Sequence, residues 1–214
     1  TGISGKVELY YKKQTDSYFA VKTFHAKETF ESREEYRTRC LKELEVMQNI
    51  DEDHVNILKA YRFVGRLSSH QIVFEYAPYN FLKVMQQIKP QEEEVLCFFR
   101  QVCEGVQFLH HHFVAHRDLK MENMVLDRTG TIKIIDFGSA FVFGPQRTLA
   151  SGIAGTESLT SPEAFKQLQY DSEANDVWSL AVLLYSMLNM KFPWRAAKES
   201  DPEFRAFLVD RSSV

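Results

Sequence analysis

The stretch VAHRDLKMENMVLD, residues 114–127, decides how this chain is read. It runs His116-Arg117-Asp118, then Lys120 two residues on and Asn123 three further, with apolar residues at both ends. An aspartate on a short loop can accept a proton from a hydroxyl as that hydroxyl attacks. A lysine beside it can neutralise charge on a moving phosphoryl group. An asparagine offers a neutral oxygen to a hard cation such as Mg2+. Taken alone, His-Arg-Asp is a polar surface loop; Lys120 and Asn123 at these offsets turn the reading towards chemistry.

Three further stretches extend that reading. Downstream, IKIIDFGSA ends an apolar strand on Asp136, followed by Phe137 and Gly138. A carboxylate at a strand end, released by a glycine, can bind a metal that bridges phosphates. Upstream, FAVKTF projects Lys22 from a strand that buries Ala20 and Val21. A lone strand lysine is usually a solvated edge charge, so Lys22 gains meaning only from a carboxylate that meets it. Glu43 in LKELEVM is the expected partner, because Glu43, Met47 and Ile50 then share one helix face. Glu45 is the alternative, since the link to HVNIL carries the extra residues Asp51, Glu52 and Asp53 and fixes the register poorly. At the start, TGISGKV places Gly2, Gly5 and Val7 one strand before Lys22, and such glycines let backbone amides approach phosphate oxygens.

The rest of the chain supplies the frame. KVELYY and SYFAVKTF read as strands around the turn KKQTDS, and LKAYRFVG and HQIVFEYA read as two more. Between these pairs the charged segment KETFESREEYRTRCLKELEVMQNI carries Leu41, Leu44, Met47 and Ile50 at helical spacing. PQEEEVLCFFRQVCEGVQFLHHH is a strong helix, with Glu92, Glu93 and Glu94 at its positive end and Val95, Phe99, Val102, Val106 and Leu109 on one stripe. NMVLD and TIKIIDFG form a short strand pair turning at Arg128-Thr129-Gly130. SEANDVWSLAVLLYSMLNM is apolar nearly all round, which predicts a helix buried on every side. The order is strand-rich, then helix-rich: an α+β pattern of two lobes, residues 1–76 and 77–214, with the boundary near Ala77–Asn80.

Composition sets the bounds. The chain has 214 residues, 44% hydrophobic and 26% charged, with a net charge of -3. That balance gives no overall drive towards nucleic acid or an anionic membrane. The apolar run LAVLLYSML is too short to span a bilayer. Cys40, Cys97 and Cys103 are scattered and odd in number, which argues against a disulfide framework and for a reducing, cytoplasmic setting, with the nucleus as an alternative.

These four motifs, in this order, resemble the eukaryotic protein kinase catalytic domain from Thr1 to about Trp194. The resemblance implies a β-rich lobe, a helical lobe, and ATP with Mg2+ in the cleft between them. It implies that Lys22 holds the α- and β-phosphates and pairs with Glu43. Asp118 becomes the catalytic base, Lys120 contacts the transferring group, and Asn123 and Asp136 hold Mg2+. Phe74 resembles the gatekeeper, Glu75 and Ala77 offer backbone groups to adenine, and Val7 and Ala20 sandwich its ring. Lys120 and Thr156, the latter in GTESLTSPE, are similar to the serine/threonine class acting on protein substrates. Asp176 resembles the buried aspartate that ties down the catalytic loop, and Glu122 resembles an acidic position facing basic substrates. EYAPYNF and KFPWRAAKESDPEFRAF look like the fungal nitrogen-permease-reactivator and halotolerance kinases.

Departures from the pattern set further expectations. Ser161 replaces the usual alanine before Pro162-Glu163, and Leu159 stands where a tyrosine is general. No basic residue follows Asp136-Phe-Gly until Arg147, so a phosphate on Thr148 or Ser151 is expected to activate only modestly through Arg117. The family pairs Glu163 with an arginine on a late helix. Here the C-terminal helices are expected to be missing, with Glu163 unpaired, solvated or held by Arg205 and apolar surface left open. A pseudokinase scaffold of the same fold is the alternative function, with a small-molecule kinase as a third. Pseudokinases typically lack one of the four residues Lys22, Asp118, Asn123 and Asp136 that this chain keeps.

Overall fold

A computed structural model describes residues 5–48, 50, 52–65 and 70–210, without the side chains at 39, 42–44, 47 and 48 of the first helix. Strands β1 (Gly5–Lys12) and β2 (Ser17–Phe24) form a hairpin, followed by helix α1 (Arg33–Gln48) and strands β3 (Ala60–Gly65) and β4 (His70–Glu75). All four strands are antiparallel in the order β1-β2-β4-β3. Gly5 sits at the head of the hairpin because a Cβ there would lie 2.4 Å from the Thr23 carbonyl oxygen. That is a packing reason for a glycine to which the sequence reading gave a phosphate-binding one.

Helix α1 opens on a capping box. Ser32 Oγ accepts from the Glu35 amide at 3.1 Å, and Glu35 Oε2 accepts from the Ser32 amide at 2.7 Å. Tyr36 and Cys40 on α1 join Phe24, Ile72 and Phe74 in the core of this first lobe. The stripe expected from Leu41 onward is thus carried by earlier residues too; Leu41 itself packs partly buried against that core.

The expected lobe boundary at 76/77 falls in the link between β4 and β5 (Tyr79–Asn80). The second lobe then runs α2 (Phe81–Ile88), α3 (Glu92–His111), β6 (Val114–Ala115), β7 (Met124–Leu126), β8 (Ile132–Ile134), β9 (Phe141–Val142), β10 (Ala150–Ser151), α4 (Pro162–Lys166), β11 (Gln169–Tyr170), α5 (Ser172–Asn189) and α6 (Pro202–Val209). This is a two-lobed α+β fold. The main core gathers Phe81, Met85, Val95, Val102, Val106, Leu109, Leu119, Ile134, Phe137, Leu183 and Met187. Burying apolar side chains of this size contributes about 1.5–3 kcal/mol each before ordering costs.

Helix α5 corrects one expectation. It is not buried on every side: Val177 is 58% exposed and Leu188 45%. Its hidden face is largely polar, with Ser172, Asn175, Asp176, Ser179 and Ser186 all buried. Three of those polar groups, on Asn175, Asp176 and Ser179, bond to chain outside the helix. Asn175 Oδ1 accepts from the Ser161 amide at 2.9 Å, and Ser179 Oγ donates to the Leu159 carbonyl at 2.8 Å. Helix α5 therefore serves as a hydrogen-bonding post for the loops around the site rather than as a greasy core rod.

Candidate active site

The loop between β6 and β7 is pinned from below by α5. Fully buried Asp176 accepts the His116 amide at 2.7 Å and the Arg117 amide at 2.8 Å, and its Oδ2 also meets His110 Nε2 at 3.0 Å. Arg117 adopts a left-handed backbone, φ 62°, which a non-glycine residue holds only when its surroundings fix it. His116 adds two ties the sequence reading did not assign. Its Nδ1 accepts the Asp118 amide at 3.2 Å, and Nε2 faces the Ile135 carbonyl at 3.0 Å. Its ring also meets Phe137 edge to face at 5.2 Å, so one buried imidazole links the 116–118 loop to the 136–138 turn.

Three of the expected residues converge on the carboxylate of a fourth, Asp118. Asp118 Oδ1 accepts from the Thr156 amide at 3.0 Å and the Thr156 hydroxyl at 2.7 Å. Oδ2 accepts from Asn123 Nδ2 at 2.9 Å and pairs with Lys120 Nζ at 2.9 Å. Lys120 Nζ also donates to Thr156 Oγ1 at 2.8 Å, closing the ring. Burial pushes the Asp118 carboxyl up, but Lys120, Thr156 and Asn123 outweigh it and hold the group below its ordinary value. Asp118 is therefore an anion at neutral pH, aimed by its donors.

Asp136 ends the β8 strand in a left-handed conformation, φ 65°, and its Oδ1 accepts the Gly138 amide at 3.3 Å. Phe137 is packed into the main core, which fixes the turn. Among the described residues no hydrogen bond reaches Asn123 Oδ1, because Asn123 uses only its Nδ2, toward Asp118 O and Oδ2. An asparagine oxygen and an aspartate oxygen suit a hard cation. Among the described residues no cluster of three or more His, Cys, Asp or Glu could hold a metal.

In the first lobe, Lys22 lies on β2 opposite Val7 of β1 and Ile72 of β4, with its Nζ 5.3 Å from the Phe24 ring centroid. Ala20 stands between Leu9 and Phe74, and Phe74 is buried. Val7 is exposed. Glu45 is exposed on α1, while the side chain of its rival Glu43 and the whole of Gly2 lie outside the described residues. The Glu75 amide donates to the Lys59 carbonyl at 2.9 Å, which leaves only its carbonyl for a ligand. Its carboxylate accepts the Lys59 amide at 2.8 Å and pairs with Lys133 at 3.2 Å. Ala77 is half-buried in the link between lobes.

Other expectations resolve as follows. Thr148 and Ser151 are exposed, as is Glu122. Arg147 forms an ion pair with Glu173. Glu163 is half-buried and makes no ion pair among the described residues, and Arg205 is exposed on α6. Leu168 is 92% exposed and Met190 42%, so the second lobe does present open apolar side chains. Leu159 is fully buried in an aromatic cluster with Trp194 and Phe204. The sequence reading missed Trp194 and Tyr170 as structural anchors, although an aromatic beside Pro193 and another just before the Asp171 helix cap were visible signals.

Comparison with known proteins agrees with this geometry. The family described as Protein kinase domain matches residues 1–209. The chain is 35% identical to the serine/threonine-protein kinase oca2 of Schizosaccharomyces pombe, over 100% of this chain and 33% of that protein. It is 33% identical to the serine/threonine-protein kinase PRR2 of Saccharomyces cerevisiae, over 98% of this chain and 30% of that protein. It is 34% identical to the nitrogen permease reactivator protein of the same yeast, over 98% of this chain and 27% of that protein. The chain thus spans a third or less of the length of these curated relatives.

Proposed function

Because the chain belongs to the protein kinase domain family, in its serine/threonine class, we propose that it transfers the γ-phosphoryl group of Mg-ATP to a serine or threonine hydroxyl of a protein substrate. The observation that carries this reading is the closed ring of Asp118, Lys120, Asn123 and Thr156 around one anionic carboxylate. Asp118 orients the attacking hydroxyl and takes its proton; with its pKa held low, orientation is the larger part of its work. Lys120 offsets charge gathering on the transferring group. Asn123 and Asp136 would supply protein oxygens to Mg2+, and Lys22, with Glu43 as its partner, would hold the α- and β-phosphates. Gly2, Gly5 and Val7 would cover the phosphates and ring, with Ala20 on the same face. The Glu75 carbonyl and the Ala77 backbone would meet adenine beside Phe74. Bound Mg-ATP supplies the phosphoryl group and the cationic charge that shields it.

The proposed setting is the cytoplasm, supported by cysteines 40, 97 and 103, none of which is in a disulfide. Among the described residues no helix is long and apolar enough to cross a membrane. The deciding experiment is incorporation of labelled phosphate from Mg-ATP into histone, a generic basic acceptor. The expected result is transfer by the wild-type chain and none by Asp118→Asn; a wild-type chain that binds Mg-ATP yet transfers nothing favours the pseudokinase.

A further inference from the structure

Trp194 lies on the loop between α5 and α6, 76 residues past Asp118 in sequence, yet it is tied to the segment that carries Thr156. Its indole Nε1 donates to the Ser158 carbonyl at 3.1 Å. The Ser158 hydroxyl returns a bond to the Arg195 carbonyl at 2.9 Å. Ser158 is thus joined to the adjacent residues Trp194 and Arg195 by two hydrogen bonds of opposite direction, which fixes both distance and rotation.

Each end of this link is rigid. On the Trp194 side, the indole stacks on Trp178 at 5.8 Å and meets Phe204 edge to face at 5.1 Å and Phe207 at 5.3 Å. Asp201 Oδ2 accepts the Arg195 amide at 3.0 Å and the Ala196 amide at 3.2 Å, while its Oδ1 caps α6 through the Phe204 amide at 3.1 Å. The loop is therefore built onto a helix start rather than left to solvent. On the other side, Thr156 is bonded to Asp118 and Lys120, Thr160 Oγ1 donates to the Thr156 carbonyl at 3.1 Å, and Ser179 holds the Leu159 carbonyl.

Residues 157–159 are suspended between these two anchors. Leu159, in the place where a tyrosine is general, is fully buried in the same cluster as Trp194 and Phe204. Glu157 stays on the outside, its side chain 60% exposed and 3.6 Å from Lys198. This short turn is the wall beside Asp118 that an incoming polypeptide must pass.

We propose that Trp194 is a positioning residue for the protein substrate: through its N–H on the Ser158 carbonyl it sets the wall at residues 157–159 in register with Asp118. It touches neither nucleotide nor acceptor. The inference rests on the phosphotransferase reading above. It predicts a separation that general loosening of the fold would not give, because the nucleotide residues Lys22, Asn123 and Asp136 do not share this link.

The test compares Trp194→Phe with wild type in the full chain. Phenylalanine keeps an aromatic ring in the cluster and removes the N–H. Expected is a rise in KM for histone of about three- to tenfold, the size of one lost hydrogen bond, with KM for ATP and kcat within about twofold. Ser158→Ala, which removes the return bond and leaves Trp194 intact, is expected to shift histone KM in the same direction. Unchanged histone KM in Trp194→Phe overturns the inference. So does a fall of kcat and both KM effects together in step with a lowered melting temperature, which marks a purely structural role. A wild-type chain without phosphotransfer overturns the parent reading instead, and with it this one.

Discussion

Arg117 donates through Nη1 to the hydroxyl of Tyr170 at 3.2 Å, so the arginine beside Asp118 is occupied by a side chain of the protein itself. Arg117 Nε also donates to the Ser139 carbonyl at 2.8 Å, and the guanidinium lies 5.5 Å from the Phe141 ring centroid. The Tyr170 hydroxyl in turn donates to the Gly152 carbonyl at 3.3 Å. Both ends of the segment from Ser139 to Gly152 are thereby gathered around one cation without a phosphate. Arg147, the next cation along, is already paired with Glu173. Phosphatase treatment is therefore expected to change kcat less than about threefold, and Tyr170→Phe to lower it by at most the weight of one hydrogen bond to a charged group, about ten- to a hundredfold. A large activation on phosphorylation of Thr148 or Ser151 would show that a phosphate finds a cation in spite of these contacts.

Asp118→Asn is expected to lower kcat by about 10²–10⁴-fold with Mg-ATP affinity within about threefold, since Asp118 meets Asn123 only through Nδ2 and leaves Asn123 Oδ1, the oxygen assigned to the cation, untouched. Lys22→Met is expected to lose most activity through misplaced phosphates. Nucleotide titration and steady-state kinetics on both variants separate the two effects; equal loss of affinity and turnover in Asp118→Asn argues against its role.

The depressed pKa of Asp118 sets the sign of a pH effect. A carboxyl held below its unfolded value adds stability that is fully present above the unfolded value, about 3.9, and is lost as pH falls through the lower folded value. Thr156→Val keeps the side-chain shape and removes one donor, so it raises the Asp118 pKa. The acid-unfolding midpoint is expected to move to higher pH, and stability at pH 7 to fall by about 1–3 kcal/mol. Acid titration followed by circular dichroism reads both; a midpoint that stays put or moves lower removes Thr156 from the set of groups that charge Asp118.

Gly155→Ala should be far more damaging than its size suggests. Gly155 has φ +78°, and a Cβ there would lie 2.3 Å from the Arg117 carbonyl oxygen and 3.0 Å from Asp118 Oδ1. The backbone strain alone costs about 1–3 kcal/mol, and the blocking atom is backbone that α5 already pins. Loss of at least tenfold in kcat, with a lowered melting temperature, is the expected result. Wild-type behaviour would mean that the segment moves away from the catalytic loop at no cost.

Glu122 is exposed one residue from Asn123 and between the catalytic groups in sequence, so it is free to meet a cation on a substrate. A peptide array is expected to show a basic residue before the acceptor. Glu122→Ala should weaken that bias by about two- to fivefold, as fits an exposed ion pair. An array without basic bias, or one unchanged by the substitution, leaves Glu122 a solvated loop residue.

The sequence by itself determined the elements whose signal is local. The hairpin from Gly5 to Phe24, the helices at Glu92 and Ser172, and the strand pair around Arg128-Thr129-Gly130 each follow from periodicity or turn chemistry held within a few residues. Asp118, Lys120 and Asn123 were picked out together because they stand in one short stretch of chain, and the roles given to them and to Asp136 came from the family resemblance. Tertiary structure decided what depends on distant partners. Only folding shows that Tyr170 plugs Arg117, that Trp194 grips Ser158, and that His116 links the 116–118 loop to Phe137. It also turned α5 from an expected greasy rod into a helix with a buried polar face. Hydrophobic pattern counts apolar residues along one helix, but a buried serine or aspartate is stable only when another segment brings it an amide or a carbonyl, and that segment lies tens of residues away.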